Sequence, residues 1–388
     1  MPLDNNDMSP AFIPFNQSHI SGREAAYVAR AIESRQLSGD GAFTRKCQVS
    51  LSELTHSRTA LLTHSATAAL EMSALLADLA PGDEVIMPSF TFVSTANAFV
   101  LRGLVPVFVD IREDTLNIDE TLIEGAITAR TRAIVPVHYA GVSCEMDEIC
   151  RIAAKHGLLV IEDAAQGLMA RYKGRPLGGI GDMGALSFHA TKNISCGEGG
   201  AFLTNSQAFA EKAEIIREKG TNRSRFFRGE VDKYSWVDTG SSFIPSELNA
   251  AYLLAQLEDA ADITARRLAL WSRYHMAFSA SETDGLWRRP TVPAGCEHNA
   301  HIYYLLLPDA ARRDAFIRTM KANGIGCTFH YVPLHETPHA ISCSRGGSDL
   351  SRTADLSLRL VRLPLWPGLE PEIDRVIDCA LAAARAAP

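Results

Sequence analysis

Short apolar segments alternate with helix-like segments from residue 59 onward, and this alternation constrains the fold more than any other feature. We predict strands at residues 59–63, 84–88, 106–109, 133–137, 158–162, 184–188 and 200–204. Helical patterns separate the early strands, at residues 66–80, 93–101, 120–129 and 145–156. Crossovers of this length are typical of parallel strands covered by helices on both faces. The predicted fold is α/β, with a seven-stranded, mostly parallel sheet.

The last connection in this series differs from the earlier ones. Residues 188–200 contain several glycines and no helical pattern, so we predict that strand 200–204 runs antiparallel to its neighbour. After a helical pattern at 206–219, residues 220–236 are rich in Arg, Phe and Gly and show no clear period. They are predicted to form a long functional loop.

The remainder predicts a smaller second unit. Helical patterns at 245–257 and 259–278 lead into strand 301–307, helix 309–322, strand 325–331, helix 349–361 and helix 371–386. We therefore predict three parts: an N-terminal arm at residues 1–20, a large domain at 21–260 and a small α+β domain at 261–388.

Composition excludes several classes of function. The 388 residues are 46% hydrophobic and 21% charged, as in ordinary globular proteins, and the net charge of −7 argues against nucleic-acid or membrane-surface partners. No apolar run approaches the roughly 20 residues of a membrane span, and the first residues do not resemble a secretory signal. Eight cysteines without a Cys-x-x-Cys pair predict reduced thiols in a cytoplasmic protein.

Lys192 lies between two predicted strands, in a connection closed by Gly197, Gly199 and Gly200. A strand end holds such a lysine firmly, and the glycines allow a ligand to approach closely. One interpretation is a Schiff-base lysine, which is nucleophilic when desolvated beside an aldehyde. The alternative is an exposed surface lysine.

Two other strand ends carry side chains or N–H groups that could bind a ligand. At 63–70 a strand runs into a helix through Ser65, Ala66 and Thr67, where free N–H groups favour an anion, although a plain N-cap is an alternative. At the end of strand 158–162, Asp163 would pair with a pyridine nitrogen or, alternatively, cap the next element. Together with Lys192, these groups describe a pyridoxal-phosphate site.

Other motifs are weaker evidence for a function. Residues 179–184 fit G-x-G-x-x-G but precede a strand, so we reject a dinucleotide site. The pairs His298/His301 and His335/His339 have metal-like spacing without a carboxylate or cysteine partner, and no metal site is predicted. Phe92 follows a strand and is a candidate for stacking on the cofactor ring or for ordinary core packing.

Several motifs resemble one enzyme family. They are Pro88-Ser-Phe-Thr-Phe-Val-Ser-Thr-Ala-Asn97, Glu162-Asp-Ala-Ala-Gln166, Ser187-Phe-His-Ala-Thr-Lys192 and Glu198-Gly-Gly200. These motifs are similar to those of the DegT/StrS-type sugar aminotransferases of fold type I, and the resemblance runs from Ile13 to the 362–365 segment. It implies pyridoxal 5'-phosphate as cofactor and ping-pong transfer of an amine from L-glutamate to a nucleotide-linked keto sugar.

The resemblance also implies roles for individual residues. Lys192 would form the Schiff base and move the proton between cofactor and substrate carbons. Asp163 would pair with the ring nitrogen, Gln166 would contact the ring hydroxyl, and Phe92 would stack on the ring. Phosphate contacts are implied for Ala66, Thr67 and Ser187, to which the Ser65 hydroxyl adds a further donor.

A homodimer with shared active sites is implied as well. Many relatives insert an Asn from a Gly-aromatic-Asn turn of the neighbouring subunit, and in the matching turn, Gly240-Ser-Ser-Phe243, Ser242 occupies that position. The residues expected to contact the diphosphate of the acceptor are Lys219, Arg223, Arg228 and His330. The alternative for each of them is a solvated side chain without a binding role.

Three alternatives stay open. The first is a sugar dehydratase of the same family, which carries a histidine in place of the lysine, and Lys192 argues against it. The second is an aminotransferase acting on another nucleotide sugar or at C3. The third is a non-catalytic regulator that binds the cofactor, which would not need all three of Lys192, Asp163 and the phosphate-binding turn.

Overall fold

The computed structural model describes residues 11–386. The strands of this part of the chain are β1 (Thr59–Thr63), β2 (Glu84–Pro88), β3 (Val105–Val109), β4 (Thr131–Ile134), β5 (Leu159–Asp163), β6 (Arg171–Tyr172), β7 (Arg175–Pro176), β8 (Met183–Ser187), β9 (Gly200–Thr204), β10 (Cys296–Glu297), β11 (Tyr303–Leu306), β12 (Arg345–Gly346) and β13 (Leu360–Leu363).

The helices of the same residues are α1 (Glu24–Glu33), α2 (Ala42–Thr55), α3 (Ala66–Leu76), α4 (Val93–Val100), α5 (Glu120–Ala126), α6 (Met146–His156), α7 (Gln207–Arg217), α8 (Arg223–Phe227), α9 (Glu247–Glu258), α10 (Ala260–Ala277), α11 (Ser279–Thr283), α12 (Ala310–Ala322), α13 (Pro338–Cys343), α14 (Ser351–Arg359) and α15 (Ile373–Ala386). None of these helices combines the length and the apolar character that crossing a membrane requires.

One large sheet organises the first two thirds of the chain. Within residues 11–386 it has eight strands, in the spatial order β1-β9-β8-β5-β4-β2-β3-β12. β9 is antiparallel to both β1 and β8, and the remaining pairs are parallel. The predicted mostly parallel sheet with an antiparallel last strand is confirmed. With β9 excepted, the described strands of this sheet end at one edge, where α/β proteins place their ligands.

Alternating side chains bury both faces of this sheet. On β1, Leu61 packs with side chains of α3 and α4, whereas Ala60 and Leu62 pack with those of α1, α2 and α9. On β9, Phe202 joins the first of these cores. This period of two follows from strand geometry, and because both faces are buried each strand is a nearly continuous apolar segment, which made the strands recognisable.

The C-terminal part has a core of its own. β11 and β13 pair antiparallel, and α10, α12 and α15 pack around them with Trp271, Tyr274 and Phe316 among the buried side chains. The domain boundary proposed near residue 260 falls where α9 ends at Glu258 and α10 begins at Ala260; it remains a prediction.

Several elements differ from the sequence-based expectations. The loop predicted at 220–236 contains the short helix α8. The sheet contains one strand more than predicted, because two-residue β12 is too short to show a period. The strand predicted at 325–331 is wrong: in the described chain this segment forms isolated bridges, Ile325 with Ile13 and Thr328 with Arg362, and lines a cavity. The helix predicted at 349–361 ends at Arg359, where β13 follows.

Residues 11–18 connect the two parts of the molecule. The N–H of Gly326 donates to the carbonyl of Ile13 at 2.8 Å, and Asn16 Nδ2 donates to the carbonyl of Ala190 at 3.1 Å. The segment thereby joins the small domain to the connection that carries Lys192. The first ten residues of the predicted arm at 1–20 lie outside the described residues.

Candidate active site

A cavity of about 730 Å³ lies at the carboxyl edge of the large sheet. Its wall combines the ends of β1, β5 and β8 with residues 328–332 and 362–365 of the small domain. The volume lies within the range of known cofactor and ligand sites. The predicted site residues that line it are Ser65, Ala66, Thr67, Phe92, Asp163, Gln166, Ser187, Lys192 and His330.

Lys192 lies in a tightly bonded connection between β8 and β9. The N–H of Ala190 donates to the carbonyl of Gly197 and the N–H of Lys192 to that of His189, each at 2.8 Å. Burial lowers the pKa of the Lys192 amine to about 8, opposed by the negative charge of Asp163. A neutral amine is therefore accessible near neutral pH, as Schiff-base chemistry requires.

Asp163 is the last residue of β5 and is 6% exposed. Its Oδ2 accepts a hydrogen bond from Thr95 Oγ1 at 2.7 Å, and its Oδ1 accepts one from the N–H of Ala165 at 3.1 Å. Among residues 11–386 it has no ion-pair partner. A buried carboxylate is costly without a cation, so this side chain fits the protonated nitrogen of a pyridine ring.

The start of α3 forms the opposite side of the cavity. Ser65 is its N-cap, and its Oγ accepts a hydrogen bond from the N–H of Ala68 at 3.1 Å. A Cβ on Gly200 would lie 2.3 Å from the carbonyl carbon of Ser65, so glycine is required where β9 passes this turn. The N–H groups of the first turn, the Thr67 hydroxyl and buried Ser187 fit a phosphate.

Gln166 and two aromatic residues complete the cofactor side. Gln166 Oε1 accepts from the N–H of Ala140 at 2.7 Å, and its Nε2 donates to the Tyr331 hydroxyl at 3.0 Å. Phe92 is 58% exposed, and its ring centroid lies 6.5 Å from that of Tyr331. An exposed aromatic face on a cavity wall is suited to stacking, and the ring-stacking role of Phe92 stays a prediction.

A buried network joins Lys192 to the small domain. Asn193 Nδ2 donates to the carbonyl of Asn299 at 2.8 Å, so its Oδ1 is the acceptor for His301 Nδ1 at 3.0 Å. Asn299 Nδ2 in turn donates to the carbonyl of Gln166 at 2.7 Å. Burial, with Lys192 nearby, holds the pKa of His301 well below its usual value, so the ring is neutral and fixed in one tautomer.

The expected contacts to the diphosphate divide into two groups. His330 lines the cavity, and its Nδ1 lies 3.1 Å from the Tyr139 hydroxyl. Burial keeps the pKa of His330 well below its ordinary value, so it would meet an anion as a neutral donor. Arg223 pairs with Glu218, and Arg228 pairs with Glu214 and Glu230. These two arginines, with exposed Lys219 and Ser242, lie outside the cavity lining, and their roles remain predictions.

The histidines weighed as metal ligands have other neighbours. The ring centroid of His298 lies 4.4 Å from that of Trp271, and His335 Nδ1 lies 2.7 Å from Ser89 Oγ. In the part of the chain that the structure describes, no group of three or more His, Cys, Asp or Glu side chains is placed to hold a metal ion.

Sequence reasoning did not select several residues of the cavity. Arg362, Tyr331 and His301 line it, and Thr95 supports Asp163. Arg362 had a recognisable signal, since it is a charged residue inside the otherwise apolar 360–365 segment. His301 and Tyr331 come from segments predicted as strands of the small domain, and their place in the site depends on the packing of the two parts.

Comparison with known proteins identifies the family. A sequence model of the DegT/DnrJ/EryC1/StrS aminotransferase family matches residues 18–380. The chain belongs to this family. The expected enzyme class, an aminotransferase that uses pyridoxal 5'-phosphate, is thereby confirmed, and the residues described above fit that cofactor.

Individual relatives cover nearly the whole chain. The spore coat polysaccharide biosynthesis protein SpsC of Bacillus subtilis is 34% identical over 376 residues, which are 95% of this chain and 96% of SpsC. The structure of S. venezuelae DesV in complex with a ketimine intermediate matches with a TM-score of 0.88 and 30% identity, covering 98% of this chain and 100% of DesV. The putative sugar aminotransferase Spr1654 of Streptococcus pneumoniae, in its PMP form, matches with a TM-score of 0.90 and 25% identity. The match covers 97% of this chain and 100% of Spr1654. The fold is that of the fold type I aminotransferases.

Proposed function

We propose that this enzyme transfers the amine of L-glutamate to C4 of a nucleotide-linked 4-keto-6-deoxyhexose. The observation that carries amine transfer is one cavity that holds Lys192, an amine of lowered pKa, and the buried carboxylate of Asp163. An electron-sink ring held between these two groups would serve transamination.

The acceptor is proposed from sequence resemblance. Residues 37–45, 134–141 and 217–229 resemble the dTDP-4-amino-4,6-dideoxygalactose transaminase of enterobacterial common antigen synthesis. The proposed acceptor and product are therefore dTDP-4-keto-6-deoxyglucose and dTDP-4-amino-4,6-dideoxygalactose. Membership of the family and the similarity to SpsC, named for polysaccharide biosynthesis, support a sugar as the acceptor.

The residues of the cavity account for the steps of this reaction. Bound pyridoxal phosphate supplies the electron sink that stabilises negative charge on the reacting carbon. Lys192 would move the proton between the substrate carbon and the cofactor carbon, because an amine whose pKa is about 8 can act as both base and acid near neutral pH. The Asp163 carboxylate would keep the ring nitrogen protonated, because its negative charge stabilises the positive charge there. Overall, one amine replaces one ketone oxygen while glutamate leaves as 2-oxoglutarate, so no external oxidant or reductant is consumed.

We further propose a cytoplasmic homodimer with shared active sites, in which Ser242, Lys219, Arg223 and Arg228 reach the neighbouring cavity. Support comes from the exposed aromatic side chains of the 220–240 loop, with Phe227 69% and Trp236 79% exposed. Sedimentation of the purified enzyme tests the dimer. Mixing Lys192→Ala protomers with Ser242→Trp protomers tests sharing, because a mixed dimer would regain one intact site.

The decisive experiment is a product assay. The enzyme, loaded with cofactor, is incubated with dTDP-4-keto-6-deoxyglucose and L-glutamate; 2-oxoglutarate is followed, and the C4 configuration is determined by NMR. An axial amine supports the proposed product. An equatorial amine retains the transaminase and rejects this product. Absence of turnover points to another nucleotide, another keto position or another amino donor. If the wild-type protein binds the cofactor but transfers no amine from any donor, the non-catalytic regulator is favoured.

A further inference from the structure

One ring nitrogen of His301 is open to the cavity. The other nitrogen, Nδ1, lies 3.0 Å from Oδ1 of Asn193, the residue that follows Lys192, and the side chain of His301 lines the cavity. From residue 11 to residue 386 no group is placed to form a hydrogen bond with Nε2, and Nε2 is absent from the set of partnerless polar atoms that solvent cannot reach. A ligand in the cavity can therefore reach Nε2.

The hydrogen bonds of Asn193 decide which nitrogen of the His301 ring carries the proton. The carbonyl of Asn299 can only accept, so Asn193 Nδ2 donates to it at 2.8 Å, and Asn193 Oδ1 is left as an acceptor. His301 Nδ1 therefore carries the hydrogen of the bond to Asn193. In the neutral ring, Nε2 is then unprotonated and presents a lone pair to the cavity.

The ring is neutral, and its backbone is held in place. Burial, supported by the positive charges of Lys192 and Arg267, keeps the pKa of His301 well below its usual value. Arg267 Nε and Nη2 donate to the carbonyls of Ala300 and His301 at 3.0 and 2.6 Å, which anchors this segment against α10. Nε2 is thus a fixed hydrogen-bond acceptor near neutral pH.

An acceptor at this position selects a ligand group that donates a hydrogen bond. Because His301 is bonded to the residue next to Lys192, the group that it meets is one that adjoins the reacting carbon. In the amino donor, a carboxylate and a methylene adjoin that carbon, and neither donates. In a 4-keto-6-deoxyhexose the neighbours of the reacting carbon are C3, which carries a hydroxyl, and C5, which carries a methyl group. The sugar is therefore the substrate that can satisfy Nε2.

We propose that Nε2 of His301 accepts a hydrogen bond from the C3 hydroxyl of the sugar and that this bond selects the acceptor substrate. The inference rests on the proposed function, which places the ketone at C4. A hexose anchored at C3 also keeps C4 in a fixed orientation toward Lys192, which favours reaction.

Two amide substitutions separate the roles of the two ring nitrogens. In His301→Asn the amide takes the place of Nδ1, so the bond to Asn193 is kept and the acceptor at Nε2 is lost. We expect this variant to raise the apparent dissociation constant for dTDP-4-keto-6-deoxyglucose about 5- to 50-fold in the second half-reaction, as for one lost hydrogen bond. The first half-reaction with L-glutamate should change by less than about threefold. In His301→Gln the amide takes the place of Nε2, and this variant should retain more affinity for the sugar than His301→Asn.

Equal losses in both half-reactions of His301→Asn would overturn the inference, because they would show that His301 supports the site without selecting the sugar. No loss in either half-reaction overturns it as well. His298→Asn is the matched control from the same segment. His298 Nδ1 accepts from the N–H of Ala300 at 3.3 Å, a bond that an asparagine can replace, and His298 is absent from the cavity lining. This control should react normally in both half-reactions.

Unreactive ligands give a binding readout that needs no amine transfer. dTDP-6-deoxyglucose has a hydroxyl at C4 in place of the ketone, and its 3-deoxy analogue lacks the C3 hydroxyl. In calorimetry, the cofactor-loaded wild type should bind the 3-deoxy analogue about 5- to 50-fold more weakly, whereas His301→Asn should bind the two ligands alike. The 2-deoxy analogue is the ligand control and should lose equally in both proteins. A wild type that ignores the C3 hydroxyl, or a His301→Asn variant that keeps the full preference, contradicts the proposal.

Nitrogen NMR of the histidine rings decides if His301→Asn does not fold. The Nε2 resonance of His301 is identified by its absence from the spectrum of His301→Gln. It should shift when dTDP-6-deoxyglucose is added to the cofactor-loaded wild type and stay in place with the 3-deoxy analogue. Equal shifts with both ligands would overturn the inference.

The outcomes also distinguish this inference from the proposed function. If the wild type transfers no amine to dTDP-4-keto-6-deoxyglucose but loses its preference for the C3 hydroxyl in His301→Asn, the proposed function is rejected and the sugar site is retained. Amine transfer by a wild type that ignores the C3 hydroxyl retains the function and rejects the inference. A wild type that binds neither ligand rejects both.

Discussion

Asn193 and His301 share a buried hydrogen bond of 3.0 Å that ties the connection carrying Lys192 to the segment entering β11. Because Asn193 also donates to the carbonyl of Asn299 at 2.8 Å, its removal leaves two buried groups without partners. We expect Asn193→Ala to lower the free energy of unfolding by about 1–3 kcal/mol. Urea denaturation of the cofactor-free protein measures the loss.

The control for that substitution is Asn323→Ala. Asn323 is exposed at the end of α12, and its Nδ2 donates locally to the carbonyl of Thr319 at 2.9 Å. Its replacement should change stability by less than about 0.5 kcal/mol. Equal losses from both substitutions would show that the Asn193 network does not stabilise the fold.

Asp163→Asn keeps the shape of a side chain that accepts from Thr95 at 2.7 Å and removes its charge. The protonated ring nitrogen would then lack its counter-charge, a loss of about 3–5 kcal/mol for a buried pair. We expect the rate of amine transfer to fall at least about 100-fold, as measured in single-turnover experiments with glutamate. Asp119→Asn, at a cap remote from the cavity lining, should retain activity.

The pKa of Lys192 predicts how capture of the cofactor depends on pH. Below about 8 the amine is protonated and cannot attack an aldehyde, and above about 8 it is neutral. The rate at which the cofactor-free enzyme captures pyridoxal phosphate should therefore rise with pH and level off above about 8. Stopped-flow absorbance measures it.

Two variants check the causes of that pKa. The charge of Asp163 raises the pKa of Lys192 and that of Arg362 lowers it. Asp163→Asn should therefore move the plateau to lower pH, and Arg362→Gln should move it to higher pH. A profile that rises until about pH 10.4, the ordinary range of lysine, would show that the amine is not desolvated.

Gly141→Ala should be severely destabilising. Gly141 has φ +75°, and a Cβ there would lie 1.8 Å from Asn299 Oδ1. Gly157 has φ +65° with nothing within 4 Å of the added Cβ. Gly157→Ala therefore measures backbone strain alone, about 1–2 kcal/mol, and Gly141→Ala should cost about 1–3 kcal/mol more. Thermal unfolding of both variants measures the difference.

Three of the predicted residues that line the cavity share one property. Ser65, Asp163 and Lys192 each follow an apolar segment that is recognisable as a strand. Since the carboxyl ends of parallel strands meet at one edge, their convergence could be predicted without knowing the strand order.

The residues that were missed depend on contacts between the two parts of the chain. Residues 325–331 were predicted to be a strand because they are apolar and aromatic, but Phe329 and Tyr331 face a cavity. Arg362 belongs to β13, whose first two residues, Leu360 and Val361, were assigned to the preceding helix. The charge of Arg362 was a visible signal, but pairing between segments that are distant in sequence leaves no local period, so the position of these two segments in the cavity wall could not be predicted.

The contact between Phe15 and Arg362 also determines when the site can be completed during translation. Phe15 and Arg362, whose Cζ lies 4.7 Å from the Phe15 ring centroid, are separated by most of the chain. Translation delivers Phe15 early, but the site is complete only after Arg362 has left the ribosome. Completion of this wall is thus a late event, and a chain truncated before β13 would lack Arg362, Leu363 and Leu365 of the cavity lining.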